Sequence, residues 1–359
     1  MIYEDYYIFT PGPVKMSEEI MKIGAKQTPY FRNCKFSDVT YACEKGLMRM
    51  VNAPEGSRVI FLTASGTAGM EATVMNLLRA EDKALVVNGG GFGNRFVQIC
   101  KTHSVPHYDF KVSNTNLSDI KTLAPKDSFN TLIVNAHETS VGHLYDLDAM
   151  GVYAKKNDML FIVDAISMLV TDPLDMQTQN IDVVIASSQK GLALPPGLTM
   201  VVLSPRAIAK VQDINNLYFN FKDYLDNGKR GQTPYTPAVT IMLQLQARLE
   251  QIERRGGVEQ SIQSAKEIAT YFRESIKKLP LKVYTEYMPN AMTTLTPTDG
   301  KKAIDIVNDL EERYKVMVCP NGGDERDIIF RVSHMGEMTK AYTDVLIDAL
   351  YDYYQIKRA

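Results

Sequence analysis

The stretch DVVIASSQKGLALPPGLTMVVLS, residues 182–204, contains two apolar runs with a single lysine between them. Valine, isoleucine, leucine and methionine fill both runs almost without polar interruption, which predicts two buried strands. Lys190 follows the first run and precedes Gly191 and a PPG turn sequence. A lysine at such a place is usually a surface residue, so its role depends on what the rest of the chain brings near it.

The composition indicates a globular protein with small-molecule partners. The chain has 359 residues, enough for two domains, of which 45% are hydrophobic and 23% are charged. A net charge of −2, with no basic stripe and no run of like charges, argues against a nucleic acid or a membrane surface as partner. The N-terminus has no apolar signal-peptide core and no window has eighteen apolar residues, so we expect a cytoplasmic protein.

The cysteines and histidines do not indicate a metal site or a disulfide framework. The cysteines, which form no CxxC pair and are expected to be reduced, are Cys34, Cys43, Cys100 and Cys319. His103 and His107 have helical spacing, but Pro106 between them would break that helix. We therefore expect no bound metal.

Short apolar runs alternate with helical patterns over the first two thirds of the chain. The runs are RVIFLTA (58–64), KALVVN (83–88), NTLIVNA (130–136), MLFIVDA (159–165), DVVIAS (182–187) and LTMVVLS (198–204). Amphipathic segments such as AGMEATVMNLLRA and LDAMGVYAKKN lie between them. This alternation predicts an α/β domain with a mostly parallel sheet.

The pattern changes after about residue 236. Two long helical segments follow, separated by Gly256-Gly257, and the tail then mixes short strand patterns with helical ones. We therefore predict a large α/β domain over residues 17–255 and a small α+β domain over residues 256–359, joined by an N-terminal segment, residues 1–16.

In open α/β sheets ligands bind beyond the carboxyl ends of the strands, so the residues after each apolar run are candidates. Ser65, Gly66 and Thr67 lead from the first run into a helix, where small hydroxyl residues suit a phosphate group but are also ordinary caps. Phe92 lies among glycines and could stack on a planar ring or belong to the core. A dinucleotide is not supported, because Asn94 stands where the GxGxxG fingerprint needs a glycine.

A carboxylate and a lysine follow two later runs. Asp164 lies within MLFIVDA, and a buried carboxylate is costly without a positive partner. That partner could be Lys190 or the protonated nitrogen of a bound heterocycle. A phosphate cradle, an aromatic plate, a carboxylate and a lysine together match pyridoxal phosphate, with Lys190 forming the Schiff base and Asp164 keeping the ring nitrogen protonated.

Over nearly its whole length the chain closely resembles the class V aminotransferases, a family of fold type I pyridoxal phosphate enzymes that includes alanine-glyoxylate, serine-pyruvate and 2-aminoethylphosphonate-pyruvate transaminases. The matching motifs are Thr10-Pro11-Gly12-Pro13, Arg32 to Phe36, Ser65-Gly66-Thr67, Phe92, Glu138-Thr139-Ser140-Val141-Gly142, Asp164-Ala165, Gln189-Lys190-Gly191, Thr233-Pro234-Tyr235-Thr236-Pro237 and Arg331. Phe31 departs from the pattern, since the family has histidine there. The resemblance implies a mostly parallel central sheet with helices on both faces and a smaller C-terminal α+β domain.

The resemblance also implies roles for individual residues. Lys190 and Asp164 would be catalytic. Cofactor contacts are implied for Ser65, Gly66, Thr67, Phe92, Thr139, Asp164, Ser187, Gln189, Lys190 and Thr236, and substrate contacts for Gly12, Arg32 and Arg331. In the family, the segment that contains Thr236 reaches the partner's cofactor phosphate, which implies a homodimer with shared active sites.

The implied activity is ping-pong transamination between a small amino donor (L-alanine, L-serine or 2-aminoethylphosphonate) and pyruvate or glyoxylate. Arg331 lies in the apolar run IIFRV, where it would meet either a substrate anion or a structural ion-pair partner. A pyridoxal phosphate lyase such as a cysteine desulfurase is an alternative, disfavoured because desulfurases stack histidine where this chain has Phe92 and because Cys319 ends a strand-like run. A phosphoserine-type transaminase is weakened by Phe31, and no feature favours a non-enzymatic cofactor-binding protein.

Overall fold

The computed structural model describes residues 5–112 and 129–358. In chain order the strands are β1 (Tyr7–Ile8), β2 (Arg58–Leu62), β3 (Ala84–Asn88), β4 (His107–Lys111), β5 (Thr131–Asn135), β6 (His137–Glu138), β7 (His143–Leu144), β8 (Leu160–Asp164), β9 (Val183–Ser187), β10 (Thr199–Leu203), β11 (Leu281–Val283), β12 (Met292–Pro297), β13 (Val316–Met317), β14 (Cys319–Pro320) and β15 (Phe330–Ser333). The helices are α1 (Glu18–Gly24), α2 (Cys34–Met50), α3 (Gly66–Leu77), α4 (Gly91–Thr102), α5 (Leu147–Lys156), α6 (Pro205–Ala209), α7 (Phe221–Gly228), α8 (Val239–Arg254), α9 (Gly257–Ser275), α10 (Ala303–Tyr314) and α11 (Lys340–Tyr353).

The central sheet has seven strands in the order β2-β10-β9-β8-β5-β3-β4. All neighbours are parallel except β10, which runs antiparallel to both β2 and β9. The mostly parallel sheet is thus confirmed. No helix separates β9 from β10, so the chain returns in the opposite direction, since parallel neighbours need a long crossover. Edge strand β4 was not predicted because its sequence, HYDFK, is only partly buried and lacks an apolar run.

Helices cover both faces of this sheet, which explains the continuous apolar runs. Successive strand residues point to opposite faces, so Val59 and Phe61 of β2 pack on the side of α2, α5 and α8. Ile60 and Leu62 pack on the other side, with α3, α4 and α7. The strand ends therefore lie between two helical layers, where a ligand can be shielded from water.

A second, antiparallel sheet of order β11-β12-β15-β14 packs against α9, α10 and α11 around its own apolar cluster. We propose the domain boundary at residue 256, directly before α9 begins. The N-terminal segment, of which residues 1–4 lie outside the described residues, joins this region through the parallel pair β1–β13. Among the described helices none combines the length and apolarity needed to cross a membrane.

Candidate active site

One cavity of about 180 Å³ lies at the carboxyl ends of the parallel strands. Of the residues predicted from the sequence, those that line it are Gly12, Ser65, Gly66, Thr67, Phe92, Thr139, Asp164, Gln189 and Lys190. They come from segments far apart in the chain, and the sheet brings them together because its parallel strands end at the same edge.

Asp164 is the buried carboxylate at this edge, only 1% exposed. The register of β5 and β8 places Asn135 beside it, and the Asn135 Nδ2 group donates to Asp164 Oδ2 at 2.7 Å. The backbone N–H of Ile166 donates to Oδ1 at 2.9 Å. Burial raises the pKa of Asp164 to about 6, and these two hydrogen bonds oppose that rise. The side chain is therefore mostly ionised at neutral pH.

Lys190 follows β9 and enters the same cavity. Burial, with a smaller contribution from the Arg331 charge, lowers the pKa of Lys190 to about 8. Gly12 lies against its side chain: a Cβ on Gly12, whose φ is +138°, would be 2.8 Å from Lys190 Cδ. A residue with a side chain would crowd the lysine at this point. The amine is thus confined and is partly neutral near neutral pH.

The N-terminus of α3 forms one wall of the cavity. Ser65 is the N-cap, yet its side chain makes no capping hydrogen bond. The first N–H groups of a helix have no partner within the helix and carry a partial positive charge. A Cβ on Gly66 would lie 2.5 Å from Ile166 Cδ1, so glycine lets this helix end approach the loop after β8. The arrangement suits a phosphate group.

Phe92 lies in the first turn of α4, and Glu138 holds that turn. The Glu138 carboxylate accepts from the backbone N–H groups of Phe92, at 3.1 Å, and Gly93, at 2.9 Å. It also accepts from the Ser140 hydroxyl at 2.6 Å. Glu138 is fully buried, and its hydrogen bonds fix the start of α4 and with it the position of Phe92.

Arg331 lies on β15, directly behind Thr139. Its Nη1 donates to the Thr139 carbonyl at 3.1 Å, and its Nη2 donates to Cys319 Sγ at 3.0 Å and to the Pro320 carbonyl at 2.7 Å. All of these acceptors are uncharged, and the buried Nε has no partner within the described chain. Arg331 is therefore fixed in place without a hydrogen bond to a carboxylate, although its charge acts on Glu325.

Four predicted residues do not line the cavity: Arg331, which lies behind Thr139, and Arg32, Thr236 and Ser187. Arg32 donates to the carbonyls of Thr233, at 2.7 Å, and Pro234, at 2.9 Å, instead. Thr236 is exposed on the surface beyond them. The Ser187 hydroxyl donates to Gln189 Oε1 at 2.6 Å and so acts on the cavity through a lining residue.

Five further lining residues were missed from the sequence: Met70, Arg95, Asn135, Ile166 and Ser167. Asn135 ends an apolar run, and that position was a usable signal. Ser167 is within 2.6 Å of the Thr139 hydroxyl, a contact that only the fold reveals. Arg95 lies on the inner face of α4 and has no motif of its own.

The set of groups fits pyridoxal phosphate. A buried carboxylate can face a pyridine nitrogen, a confined amine can meet an aldehyde, and a helix N-terminus can face a phosphate. The buried Oδ1 of Asn135 has no partner within the described chain, which leaves one polar atom available to a ligand. No cluster of three or more potential metal ligands occurs among residues 5–112 and 129–358.

Comparisons with known proteins agree with this geometry. Residues 26–337 match the family model described as aminotransferase class-V. An uncharacterized aminotransferase of Helicobacter pylori (strain J99) is 31% identical over 338 residues, which are 92% of this chain and 88% of the relative. An L-aspartate–glyoxylate aminotransferase of Paracoccus denitrificans is 26% identical over 347 residues, 93% of this chain and 87% of the relative. An aspartate aminotransferase structure from Thermus thermophilus has the same fold, with a TM-score of 0.90 at 24% identity over 97% of this chain and 99% of the other.

Proposed function

The chain belongs to the class V aminotransferases, which are pyridoxal phosphate enzymes, and from this premise we propose that it moves an amino group from a small amino donor to pyruvate or glyoxylate at the cavity around Lys190. The donors we propose are L-alanine, L-serine and 2-aminoethylphosphonate. The observation that carries the proposal is the convergence of Lys190 and Asp164 in one cavity that Arg331 borders.

We propose that the lining residues hold the cofactor from three sides. Asp164 would face the ring nitrogen, the N-terminus of α3 with Ser65 and Thr67 would bind the phosphate, and Phe92 would cover the ring. Thr139, Gln189 and, through Gln189, Ser187 would complete this set. When bound, the cofactor supplies an electron sink that stabilises negative charge on the substrate Cα.

Lys190 would be both the attachment point and the proton carrier. Because its pKa is lowered to about 8, its amine is neutral in about a tenth of the molecules at pH 7, far more than for an ordinary lysine. A neutral Nζ can act as a nucleophile, and once the donor has displaced it, it can take up the proton that leaves the substrate Cα. Gly12, packed against the lysine stem, would keep that nitrogen directed into the cavity.

Arg331 would bind the anionic group of the donor. A guanidinium fork suits either a carboxylate or a phosphonate, because both present paired oxygens. The Paracoccus relative is named for glyoxylate, which supports glyoxylate as an acceptor. That relative is also named for L-aspartate, a donor with two carboxylates. We favour a donor with one anionic group, since Arg331 offers a single fork.

We propose a homodimer in which Thr236 contacts the cofactor phosphate of the partner. Thr236 is exposed, and Arg32 anchors the two residues that precede Tyr235. Tyr235 stacks on Tyr218 with an interplanar angle of 13°, and neighbouring Leu217 is 77% exposed. Leu217 and the partly exposed Tyr218 form adjacent apolar surface beside this segment, which supports an interface there. Arg32 would thus act on the shared active site only through the segment that it holds.

A donor panel tests the proposed substrate class. The holoenzyme is mixed in turn with L-alanine, L-serine, 2-aminoethylphosphonate and L-aspartate without an acceptor. A ping-pong transaminase releases at most one equivalent of oxo product per site, and turnover then begins when glyoxylate or pyruvate is added. We expect this pattern with at least one of the first three donors.

Two outcomes would overturn the donor assignment. One is transfer from L-aspartate alone. The other is an Arg331→Gln variant that keeps the wild-type KM for the active donor. Arg331→Lys is the matched control, since it keeps the charge but loses the fork, and an intermediate rise in KM is expected for it.

A further inference from the structure

We propose that Arg95 binds the cofactor phosphate together with Thr67, as the cation that the phosphate site requires. This inference rests on the proposal that the cavity around Lys190 holds the cofactor. No sequence motif indicated a role for this side chain. It lies on α4, whereas the helix end proposed to bind the phosphate is the N-terminus of α3.

The position of Arg95 links two walls of the cavity. Its Nη1 donates to Thr67 Oγ1 at 3.0 Å, across the gap between α4 and α3. Its guanidinium carbon lies 4.9 Å from the centre of the Phe92 ring. The side chain is half-buried and lines the cavity itself. One guanidinium therefore touches both the proposed phosphate loop and the proposed ring plate.

The hydrogen-bond direction at Thr67 favours an anion beside it. Arginine has no acceptor atom, so Thr67 Oγ1 must accept from Nη1. The hydroxyl hydrogen of Thr67 then remains free to donate to an oxygen in the cavity. The remaining N–H groups of the guanidinium can donate in the same direction, since five are available in a fixed fork.

The charge on Arg95 also lacks a counter-ion in the described part of the chain. Within the described residues Arg95 contacts a hydroxyl and an aromatic face, both uncharged. A cofactor phosphate carries close to two negative charges, and the N-terminus of α3 offers only a partial positive charge in return. Arg95 supplies one full positive charge that offsets about half of the phosphate charge, and a charge-assisted hydrogen bond is stronger than a neutral one.

The test compares two ligands that differ only in the phosphate. Apo-protein is titrated with pyridoxal phosphate and with pyridoxal, and the dissociation constants are measured from absorbance. For Arg95→Gln we expect pyridoxal phosphate to bind about 10- to 100-fold more weakly, with pyridoxal affinity unchanged. Arg95→Lys should lose less, and Thr67→Val should show the same selective loss. Lys101→Gln, an exposed charge change on the same helix, should leave both constants unchanged.

Equal weakening of both ligands would overturn the proposal, because Arg95 would then act only by positioning Phe92. No weakening of either ligand would overturn it as well. If Arg95→Gln does not fold, the Arg95→Lys and Thr67→Val pair carries the same comparison. Borohydride reduction followed by peptide mapping distinguishes failure of the Arg95 proposal from failure of the proposal that the cavity around Lys190 holds the cofactor. If the cofactor label is on Lys190 but the Arg95 variants lose no affinity specific to the phosphate, only the role of Arg95 is refuted. A label on a different lysine refutes the proposed cofactor site.

Discussion

Burial shifts the pKa values of the two central titratable residues in opposite directions. It lowers the pKa of Lys190 to about 8 and raises that of Asp164 to about 6. Both values then lie close to neutral pH, where the amine can lose its proton and the carboxylate can keep its charge. A pair of groups moved in this way is typical of acid–base chemistry in an active site.

Covalent uptake of pyridoxal phosphate by the apo-protein should therefore depend on pH with a midpoint near 8. The rate is expected to rise through that midpoint, because only the neutral Lys190 Nζ is nucleophilic. The Arg331 charge contributes to the lowered pKa, so Arg331→Gln should move the midpoint to higher pH. Stopped-flow absorbance at a series of pH values measures it.

The conservative variant Arg331→Lys serves as the control for this shift. It keeps a positive charge, so its midpoint should stay near that of the wild type. A wild-type midpoint at the ordinary lysine pKa of about 10.4 would contradict the burial argument.

Single residues were predictable from the sequence where their position alone marked them. Lys190 and Asp164 follow apolar runs, and strand ends in α/β sheets are ligand sites, so both could be found without a structure. Arg95 and Ser167 depend on contacts between elements that are distant in the chain. For Arg32 the motif could be recognised in the sequence, but its hydrogen bonds to two backbone carbonyls could not be predicted.

At the scale of elements, the start of α4 depends on a carboxylate from another part of the chain. Glu138 follows β5, yet its oxygens accept from N–H groups in the first turn of α4. No residue at the helix start supplies a side-chain cap, since the N-cap is Gly90. The glycines that precede the helix leave room for the carboxylate: a Cβ on Gly90 would lie 2.7 Å from Glu138 Cγ.

Glu138→Ala should consequently destabilise the protein. The substitution leaves buried N–H groups of the α4 start without acceptors, which we expect to lower the free energy of unfolding by about 2–3 kcal/mol. Glu138→Gln keeps one carbonyl acceptor and should lose less. Urea unfolding of the apo-proteins measures both, and an alanine variant as stable as the glutamine variant would show that the carboxylate does not cap α4.

The sequence predicted the elements of the sheet better than their directions. Five-residue strands buried on both faces appear as apolar runs, and the structure confirms a mostly parallel sheet. The antiparallel direction of β10 was missed, because an apolar run is the same in either direction. Only the absence of a helical pattern between β9 and β10 distinguished this strand.

At the scale of the whole molecule, the cavity lies where the N-terminal segment and the second sheet meet the central one. The segment pairs with β13 through β1, and its Gly12 touches Lys190. Arg331 comes from β15 of the second sheet and reaches Thr139 of the central region. The proposed cofactor groups thus come from the region of the central sheet. Of the proposed substrate groups, Gly12 comes from the N-terminal segment and Arg331 from the second sheet.

The proposed shared site predicts that two inactive variants restore activity when mixed. Lys190→Ala should remove the attachment point, and Thr236→Asp should place a carboxylate against the partner's phosphate. In a mixed dimer one site carries both changes and the other carries neither, so half of its sites should be active. Activity after co-refolding, with light scattering to give the mass, measures this.

The two variants refolded separately are the control for this experiment. A mixture that stays inactive although light scattering shows dimers would contradict a shared site, and a monomeric wild type would contradict the dimer itself. An exposed threonine is compatible with a monomer and with a dimer alike. The dimer could therefore be predicted only from the family resemblance.

The central claim, that Lys190 carries the cofactor, is tested most directly by reductive trapping. The holoenzyme is treated with borohydride, digested, and the peptides are mapped by mass spectrometry. We predict a single pyridoxyl-phosphate label, on the peptide that contains Lys190, and none in Lys190→Ala. A label on a different lysine, or a labelled Lys190→Ala protein, would contradict the account.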